Sequence, residues 1–334
     1  MRVDTLSLQQ FRNYPAQDFS FNGRCNVIYG ENAQGKTNIL ESIYLSATTK
    51  SHRGNKDREL IKFEENEAHI RIHFEKQGID HQLDMHLKKN KAKGVAIDRI
   101  PIRRSSDLLG QIPVILFSPE DLKIVKSGPS ERRKFLDIEL SQMERLYLYQ
   151  LTNYNKILVQ RNNLLKQIRF QNNLIETLEA WDIQLVKYGS EVIKYREKFI
   201  KHLGEVCQKI HNKLTGGKEK ILLEYDRDVG YDSYLTELAK KRQKDLKYST
   251  TTVGPHRDDI SFIVNGIDIR KYGSQGQQRT AALSLKLSEI YLVEKIIHDK
   301  PVLLLDDVLS ELDSSRQNYL LESIHDIQTM ITCT

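Results

Sequence analysis

The sequence predicts an α/β protein with a mixed β-sheet and an inserted, mainly helical second lobe. Two apolar runs with the length of buried strands, CNVIY and PVLLLDD, lie near opposite ends of the 334 residues, and a glycine-framed loop follows the first. Between them, residues 118–215 carry apolar residues at helical spacing over many turns. We therefore expect residues 1–120 and 218–334 to form the α/β head, and residues 121–217 to form the inserted helical lobe.

The first 120 residues are mostly strand-like. LSLQQF alternates apolar and polar residues, and AHIRIHFE (68–75) and HQLDMHLK (81–88) do the same. Such alternation predicts strands with one buried and one solvated face, so we expect the last two segments to pair in an antiparallel sheet.

The glycine-framed loop matches the pattern G-x-x-x-x-G-K-[ST] in full. Its residues are Gly30, Glu31, Asn32, Ala33, Gln34, Gly35, Lys36 and Thr37. CNVIY before it and NILESIYLSA after it supply the strand and the helix that the motif requires. In that setting backbone N–H groups surround nucleotide phosphates, the lysine reaches the terminal phosphates and the threonine hydroxyl coordinates magnesium. A chance glycine loop at a strand end is the alternative, and the fit of both flanks disfavours it.

The segment from 118 to 215 predicts a helical insertion. SPEDLKIV opens with Ser118 as an N-cap and Pro119 at the first helical position. Two long runs follow, from ERRKFLD to LLKQI and from NLIETLE to HNKL, which we expect to form two antiparallel helices. An oligomeric coiled coil is the other interpretation, but Tyr, Asn and Gln interrupt the heptads, so packing within the chain is favoured. Further on, Asn265-Gly266 lies between alternating runs and predicts a hairpin turn.

PVLLLDDVLSELD (301–313) predicts a buried parallel strand that delivers two carboxylates at its carboxyl end. Asp306 is placed to hold the magnesium ion that Thr37 also binds. Asp307 is then expected to face the γ-phosphate and to orient, or accept a proton from, the attacking water. A strand that simply ends in an acidic turn is the alternative, and the complete glycine loop makes it less favourable.

A second helix N-terminus with small residues is predicted within KYGSQGQQRTAALSLKLSEIYLVEKII (271–297). Ser274, Gly276 and Gln277 lie where an anion could approach the first helical turn. One nucleotide needs one phosphate cradle, so a second cradle could serve the nucleotide of another chain.

Composition points to an ordinary soluble protein, with 39% hydrophobic and 29% charged residues. The N-terminal residues have no apolar signal region, and no stretch approaches the roughly 18 continuous apolar residues of a membrane helix. Three widely spaced cysteines favour neither a disulfide framework nor a zinc site. We therefore expect a cytoplasmic protein that does not contact a membrane. The formal net charge of +6 permits an anionic partner without proving one.

The order of these motifs resembles the ABC-type ATPase heads of the SMC and recombination-repair group. SQGQQ (274–278) stands where that group has its signature sequence, with Gln275 in place of the usual glycine, and SELD (310–313) stands where it has the D-loop. Further segments narrow the resemblance to the RecF family over nearly the whole chain. They are FRNY (11–14), SHR (51–53), FSPEDL, GPSERRKFLD, GPHRDD (254–259), YGSQGQQRT and LLLDDVLSELD.

The resemblance implies an ABC-ATPase-like head that uses ATP and Mg²⁺, with Arg12 of FRNY and Asn38 also beside the nucleotide. It implies that ATP joins two copies into a homodimer and that hydrolysis is slow, DNA-dependent and switch-like. ABC heads usually carry a glutamate where this sequence has Asp307, and the shorter side chain fits slow hydrolysis.

The resemblance also implies that the dimer holds double-stranded DNA near single-strand gap junctions during DNA replication, DNA repair and the SOS response. RecR and RecO would be its partners in loading RecA. Four basic clusters could contact DNA phosphates, although any one of them is more often a solvated face. They are KSHR (50–53), LKKNKAK (87–93), ERRK (131–134) and KKRQK (240–244).

Two other functions share part of this pattern. A small-molecule P-loop kinase would have the glycine-framed loop but would leave SQGQQ, SELD and GPHRDD unexplained. An ABC-type ATPase subunit of another complex, such as a transporter, would share the three nucleotide motifs but would not need the helical insertion.

Overall fold

The computed structural model describes residues 1–104 and 107–333. The strands are β1 Arg2–Phe11, β2 Tyr14–Ser20, β3 Cys25–Tyr29, β4 Glu67–Lys76, β5 Ile79–Lys88, β6 Lys91–Ile97, β7 Ile100–Pro101, β8 Val114–Phe117, β9 Ile221–Asp226, β10 Asp259–Val264, β11 Ile267–Asp268, β12 Val302–Asp306 and β13 Thr329–Cys333. The α-helices are α1 Lys36–Thr48, α2 Asp57–Leu60, α3 Leu122–Lys126, α4 Pro129–Met143, α5 Arg145–Ile168, α6 Leu178–Leu214, α7 Tyr234–Tyr248, α8 Ile269–Tyr272, α9 Gln275–Ile297 and α10 Ser314–Ser323.

The chain divides into two compact units. One comprises Met1–Asp121 and the chain from Lys286 onward, and the other comprises Leu122–Leu285. The first division lies within one residue of the expected start of the helical lobe. The second lies at Leu285 rather than at residue 217, because β9, β10 and α7 pack against the long helices of the second unit. The assignment of residues 218–285 to the nucleotide-binding head stays a prediction.

An antiparallel sheet in the first unit has the strand order β2-β1-β4-β5-β6-β7. Along β4, the buried side chains Ala68, Ile70, Ile72 and Phe74 alternate with exposed ones. β4 and β5 pair antiparallel along their length, with Ala68 opposite Leu87. The two predicted strands and their pairing are therefore confirmed.

A parallel sheet in the same unit has the order β3-β13-β12-β8. The predicted buried strand at 302–306 is confirmed, because β12 lies between two parallel neighbours and all its residues are buried. The expectation of a buried strand at CNVIY is wrong, because the residues of β3 are exposed on one face and only partly buried on the other. β3 lies at the edge of the sheet, and its side chains at Val27 and Tyr29 are 55% and 80% exposed. Parallel pairing brings the carboxyl ends of β3, β12 and β13 to one edge.

The second unit is built on long helices. The first predicted long helix is interrupted, because Glu144 adopts an extended backbone between α4 and α5. The second forms α6, whose 37 residues give a length of about 55 Å. Arg161 of α5 is fully buried and pairs with Asp182 at 2.6 Å and with Asp245 at 2.7 Å, which ties three helices together. The Asn265-Gly266 hairpin turn is confirmed, with Val264 opposite Ile267.

The GPHRDD segment forms a buried junction in this unit. Arg132 of α4 pairs with Asp259 at 2.5 Å, and Arg196 of α6 pairs with Asp258 at 3.1 Å. The His256 ring lies 2.6 Å from the Tyr154 hydroxyl, which in turn lies 3.3 Å from the Tyr234 hydroxyl. These contacts give the segment a structural role.

No α-helix among the described residues is long and apolar enough to cross a membrane.

Candidate functional site

The helix that follows the glycine-framed loop, α1, has an N-terminus without a side-chain cap. β3 ends at Tyr29, and α1 begins at Lys36 with Gly35 as its N-cap, no side-chain cap and no acidic residue in its first turn. Gly35 has φ 100°, and a Cβ there would lie 2.6 Å from the Asn13 side chain, so this position requires glycine. The N–H groups of the first turn are therefore directed at any anion that enters the loop.

Lys36 lies across the loop. Its ammonium donates to the carbonyl oxygens of Gly30 at 2.5 Å and Glu31 at 2.9 Å. Both acceptors are uncharged, so a phosphate would compete successfully for this ammonium.

Asp306 lies at the carboxyl end of β12 and joins three elements. Its Oδ1 accepts hydrogen bonds from the hydroxyls of Thr37 at 2.8 Å and Thr332 at 2.9 Å. The structure thus brings together the two residues that the sequence assigned to magnesium. Thr332 was missed, although the register that sets it opposite Asp306 follows once ITCT is taken as a strand of the same sheet. Its hydroxyl also accepts from the Asp307 N–H at 3.0 Å.

Asp307 differs from Asp306 in exposure and backbone. Asp306 is buried, whereas Asp307 is exposed and has φ 54°. A positive φ at a non-glycine residue directs this side chain away from the strand path. Two successive carboxylates therefore lie in different surroundings at the same sheet edge.

A cavity of about 350 Å³ is formed at this edge. It is lined by Asn32, Ala33, Gln34, Gly35, Lys36, Thr37, Asn38, Arg53, Asp307 and Thr332. Most of the predicted loop residues lie here. Arg53 was missed as a lining residue, and its position in the SHR segment was the available signal.

Arg12 supports the helix behind the cavity. Its guanidinium donates two bonds of 2.9 Å to Glu41 of α1 and one of 3.0 Å to the Glu59 carbonyl. Burial opposes ionisation of Glu41, but the hydrogen bonds from Arg12 and Ser51 lower its pKa below the usual value. The predicted contact of Arg12 with nucleotide stays a prediction.

His52 lies beside Asp306. Its Nε2 is 4.0 Å from Asp306 Oδ2, and its side chain is buried. Burial lowers the pKa of this imidazole, so the ring is neutral at pH 7. Its buried Nδ1 has no hydrogen-bond partner among the described residues.

The predicted second cradle is a capping box in the second unit. Ser274 Oγ accepts from the Gln277 N–H at 3.2 Å, and the Ser274 N–H donates to the Gln277 side-chain oxygen at 3.0 Å. Ser274 and Gly276 are exposed, and a Cβ on Gly276 would approach only Ser274 Oγ, at 3.9 Å. This N-terminus is therefore ordered and accessible.

The described part of the chain also contains a surface group of Glu67, His69 and His86 on β4 and β5. The Lys88 ammonium lies 3.3 Å from the Glu67 carboxylate. Because this ammonium already neutralises the carboxylate, the group has little attraction for a cation.

Comparison with known proteins gives consistent results. The model of the "RecF/RecN/SMC N terminal domain" family matches residues 2–334. A "DNA replication and repair protein RecF" of Agathobacter rectalis is 58% identical, over 100% of this chain and 92% of the relative. The solved structure of "the recombination mediator protein RecF-ATP in RecFOR pathway" is 38% identical with a TM-score of 0.96, over 100% of this chain and 92% of that one.

A more distant structure supports the fold alone. The Smc head domain from Pyrococcus furiosus is 16% identical with a TM-score of 0.56, over 99% of this chain and 89% of that one. The predicted α/β class with an ABC-ATPase-like head is thereby confirmed. From its sequence and its structure, the chain belongs to the RecF family.

Proposed function

We propose that this chain is an ATP-dependent DNA-binding protein of recombinational repair and replication. It binds ATP and DNA, dimerises with ATP and acts at single-strand gaps to help load recombinase. The observation that carries the proposal is the group of Thr37, Asp306 and Thr332 beside an uncapped helix N-terminus and an ammonium that donates to two carbonyl oxygens. The similarity to a solved RecF-ATP structure supports ATP as the nucleotide.

The residues present fit ATP with Mg²⁺. Lys36 and the N–H groups of the first turn of α1 would hold the phosphates. Thr37 and Asp306 supply the oxygen ligands that Mg²⁺ prefers, and Mg²⁺ neutralises charge on the phosphates when bound. Asp307 is exposed at the cavity, where its carboxylate orients a water molecule or accepts its proton. Because it is one methylene shorter than glutamate, we infer slow, switch-like hydrolysis, and membership of the RecF family suggests that this hydrolysis depends on DNA.

Membership of the RecF family argues against the two other functions. A small-molecule kinase needs an acceptor pocket beside the phosphates, whereas the cavity is lined by the loop, Arg53, Asp307 and Thr332. A subunit of an unrelated ABC complex would not be 58% identical to RecF over its whole length.

We further infer an ATP-dependent homodimer in which Ser274 and Gly276 of one copy meet the γ-phosphate held by Lys36 of the other. The dimer is proposed to bind double-stranded DNA near gap junctions in the cytoplasm, with RecR and RecO as partners in loading RecA. The exposure of the capped α9 N-terminus supports this arrangement.

The test is Ser274→Arg, measured by ATP binding and by size-exclusion chromatography with ATP and DNA. The monomer should bind ATP normally, whereas ATP-dependent dimerisation and hydrolysis should be lost together because the added cation occupies the space of the phosphate. Mixing Ser274→Arg with Lys36→Met should restore one intact composite site per heterodimer, with hydrolysis at half the parental rate or less. Normal ATP-dependent dimerisation by Ser274→Arg alone would contradict the shared site.

A further inference from the structure

The capping box at the start of α9 is continued by a chain of side-chain hydrogen bonds. Gln277 uses its amide oxygen to accept from the Ser274 N–H, and its amide Nε2 donates to Glu219 Oε1 at 2.9 Å. The other oxygen of Glu219 lies 3.1 Å from His211 Nε2. The other ring nitrogen of His211 lies 3.0 Å from Ser284 Oγ, on the same helix as Gln277. These hydrogen bonds therefore run from Gln277 of α9 through Glu219 to His211 of α6, and from there back to Ser284, two turns further along α9.

The directions of these bonds are largely determined by chemistry. His211 Nε2 faces the Glu219 carboxylate and therefore carries a proton, so a neutral ring accepts at Nδ1 from the Ser284 hydroxyl, which also lies 2.7 Å from the Thr280 carbonyl oxygen. Glu219 as a carboxylate can only accept, and it accepts from His211 on one oxygen and from Gln277 on the other. The Gln277 amide is therefore fixed in one of its two orientations, the one that presents its oxygen to Ser274.

We infer that Glu219 and His211 are positioning residues for Ser274, an inference that rests on the proposed γ-phosphate contact across the dimer. Neither residue contacts the proposed ligand. Glu219 holds the Gln277 amide, the Gln277 amide holds the Ser274 backbone, and His211 holds Glu219. His211 is fully buried and Glu219 is 21% exposed, so this support lies beneath an exposed loop. Loss of Glu219 frees the amide to rotate and leaves the Ser274 backbone without a fixed acceptor.

A structural role alone predicts a different response from a positioning role. Glutamate at the third helical position is favoured in capping boxes, and an acidic side chain stabilises a helix N-terminus. If the capping box acted alone, Gln277→Glu would therefore preserve or strengthen it. If Glu219 positions the side chain at 277, the substitution instead sets two carboxylates against each other at positions 219 and 277, which displaces the new side chain from Ser274.

The experiment is an exchange of the two side chains. In Gln277→Glu alone, we expect ATP-dependent dimerisation to weaken about tenfold, the usual effect of losing one hydrogen bond to a charged group, while ATP binding by the monomer is unchanged. Adding Glu219→Gln should restore dimerisation to within about threefold of the parent. The new amide can then donate to the carboxylate at 277 and accept from His211, so every bond in the chain is kept. Glu205→Gln, on the exposed face of α6, is the matched control and should change nothing.

The outcomes separate this inference from the proposed function. If Ser274→Arg abolishes dimerisation but Gln277→Glu behaves as the parent, the shared site stands and the positioning role is wrong. If Gln277→Glu weakens dimerisation and the exchange does not restore it, the bond from Glu219 is not the cause, and the positioning role is again wrong. If Ser274→Arg dimerises normally with ATP, the proposed contact itself fails, whatever the exchange gives. Thermal unfolding of each variant shows whether the second unit remains folded.

Discussion

Lys36 carries the charge on which we expect nucleotide affinity to depend. Among the described residues its ammonium donates to carbonyl oxygens alone, so Lys36→Met removes the phosphate partner without leaving a carboxylate unpaired. ATP affinity should fall by about tenfold or more, as measured by calorimetry, because a hydrogen bond to a charged group contributes about 1.5–3 kcal/mol. Lys91→Met, at an exposed position on β6, is the control. Lys36→Arg should retain binding and lose turnover, because its planar group fits the loop differently. Unchanged affinity in Lys36→Met would exclude the phosphate role.

The two successive aspartates should respond differently to the same substitution. Asp306→Asn keeps an oxygen for the Thr37 and Thr332 hydroxyls but removes the charge, so ATP binding should require a higher Mg²⁺ concentration. Asp307→Asn should bind ATP at the parental Mg²⁺ concentration and hydrolyse it at least about a hundredfold more slowly, since catalysis by a positioned base contributes about 10²–10⁴. Single-turnover hydrolysis across a Mg²⁺ titration measures both. A parental rate in Asp307→Asn would show that this residue does not activate water.

At the scale of single residues, the sequence predicts the site residues that belong to a local motif. It does not predict residues that reach the site only through the pairing of distant strands. Gly30 to Thr37 and the Asp306–Asp307 pair follow from local patterns. Thr332 reaches Asp306 only because β13 pairs in parallel with β12, and pairing between distant segments has no local signal. The neutral His52 beside Asp306 was also missed, although its position in the SHR segment was a signal that the sequence offered.

At the scale of elements, Arg12 links the end of β1 in the antiparallel sheet to α1, the helix that follows the glycine-framed loop, through its hydrogen bonds to Glu41. Arg12→Met would leave the buried Glu41 carboxylate without its cationic partner, and we expect the free energy of unfolding at pH 7 to fall by about 3 kcal/mol. Urea unfolding measures this loss. Arg2→Met is the control, because Arg2 is 46% exposed in its pairs with Asp4 and Glu75 and should change stability little.

The pH dependence of that loss follows from the lowered pKa of Glu41. A carboxyl whose pKa is lower in the folded state stabilises the fold above its unfolded pKa, and this stabilisation disappears as the pH falls through the folded pKa. The difference between the parent and Arg12→Met should therefore be largest near neutral pH and shrink on acidification. A difference that stayed constant down to the acid transition would show that the lost contact is not electrostatic.

Helices and strands with strong apolar periodicity were predicted correctly. The predictions were wrong where contacts with neighbouring elements determine where a helix ends or whether a strand lies at the edge of a sheet. The alternation in β4 and β5 and the Asn265-Gly266 turn fix local structure, and both were correct. Apolar spacing continues through Glu144 because α4 and α5 both bury apolar faces, so the break between them is invisible to periodicity. CNVIY is apolar enough for a central strand, but sheet order places it at an edge.

At the scale of the whole molecule, DNA binding should report on the proposed dimer. We expect retention of duplex DNA to rise with ATP and to fall steeply with salt, because phosphate contacts release counterions. Fluorescence anisotropy with labelled duplex at several salt concentrations measures both effects, with monomeric Ser274→Arg as the matched control. Equal DNA affinity for that variant and for the ATP-bound parent would rule out a clamp formed by two copies and leave the ATPase proposal intact.

The tyrosine rings that pack beside the GPHRDD segment, Tyr154 and Tyr234, restrict which residues can occupy the neighbouring glycine positions. Gly189 and Gly254 face the same two tyrosines, and an added Cβ would lie 2.6 Å from the Tyr234 ring at the first position and 2.7 Å from the Tyr154 hydroxyl at the second. A larger residue at either glycine is therefore compatible only with a smaller side chain at 154 or 234. Over evolutionary time these four positions should change together or not at all, so an alignment of relatives should show them as a covarying set.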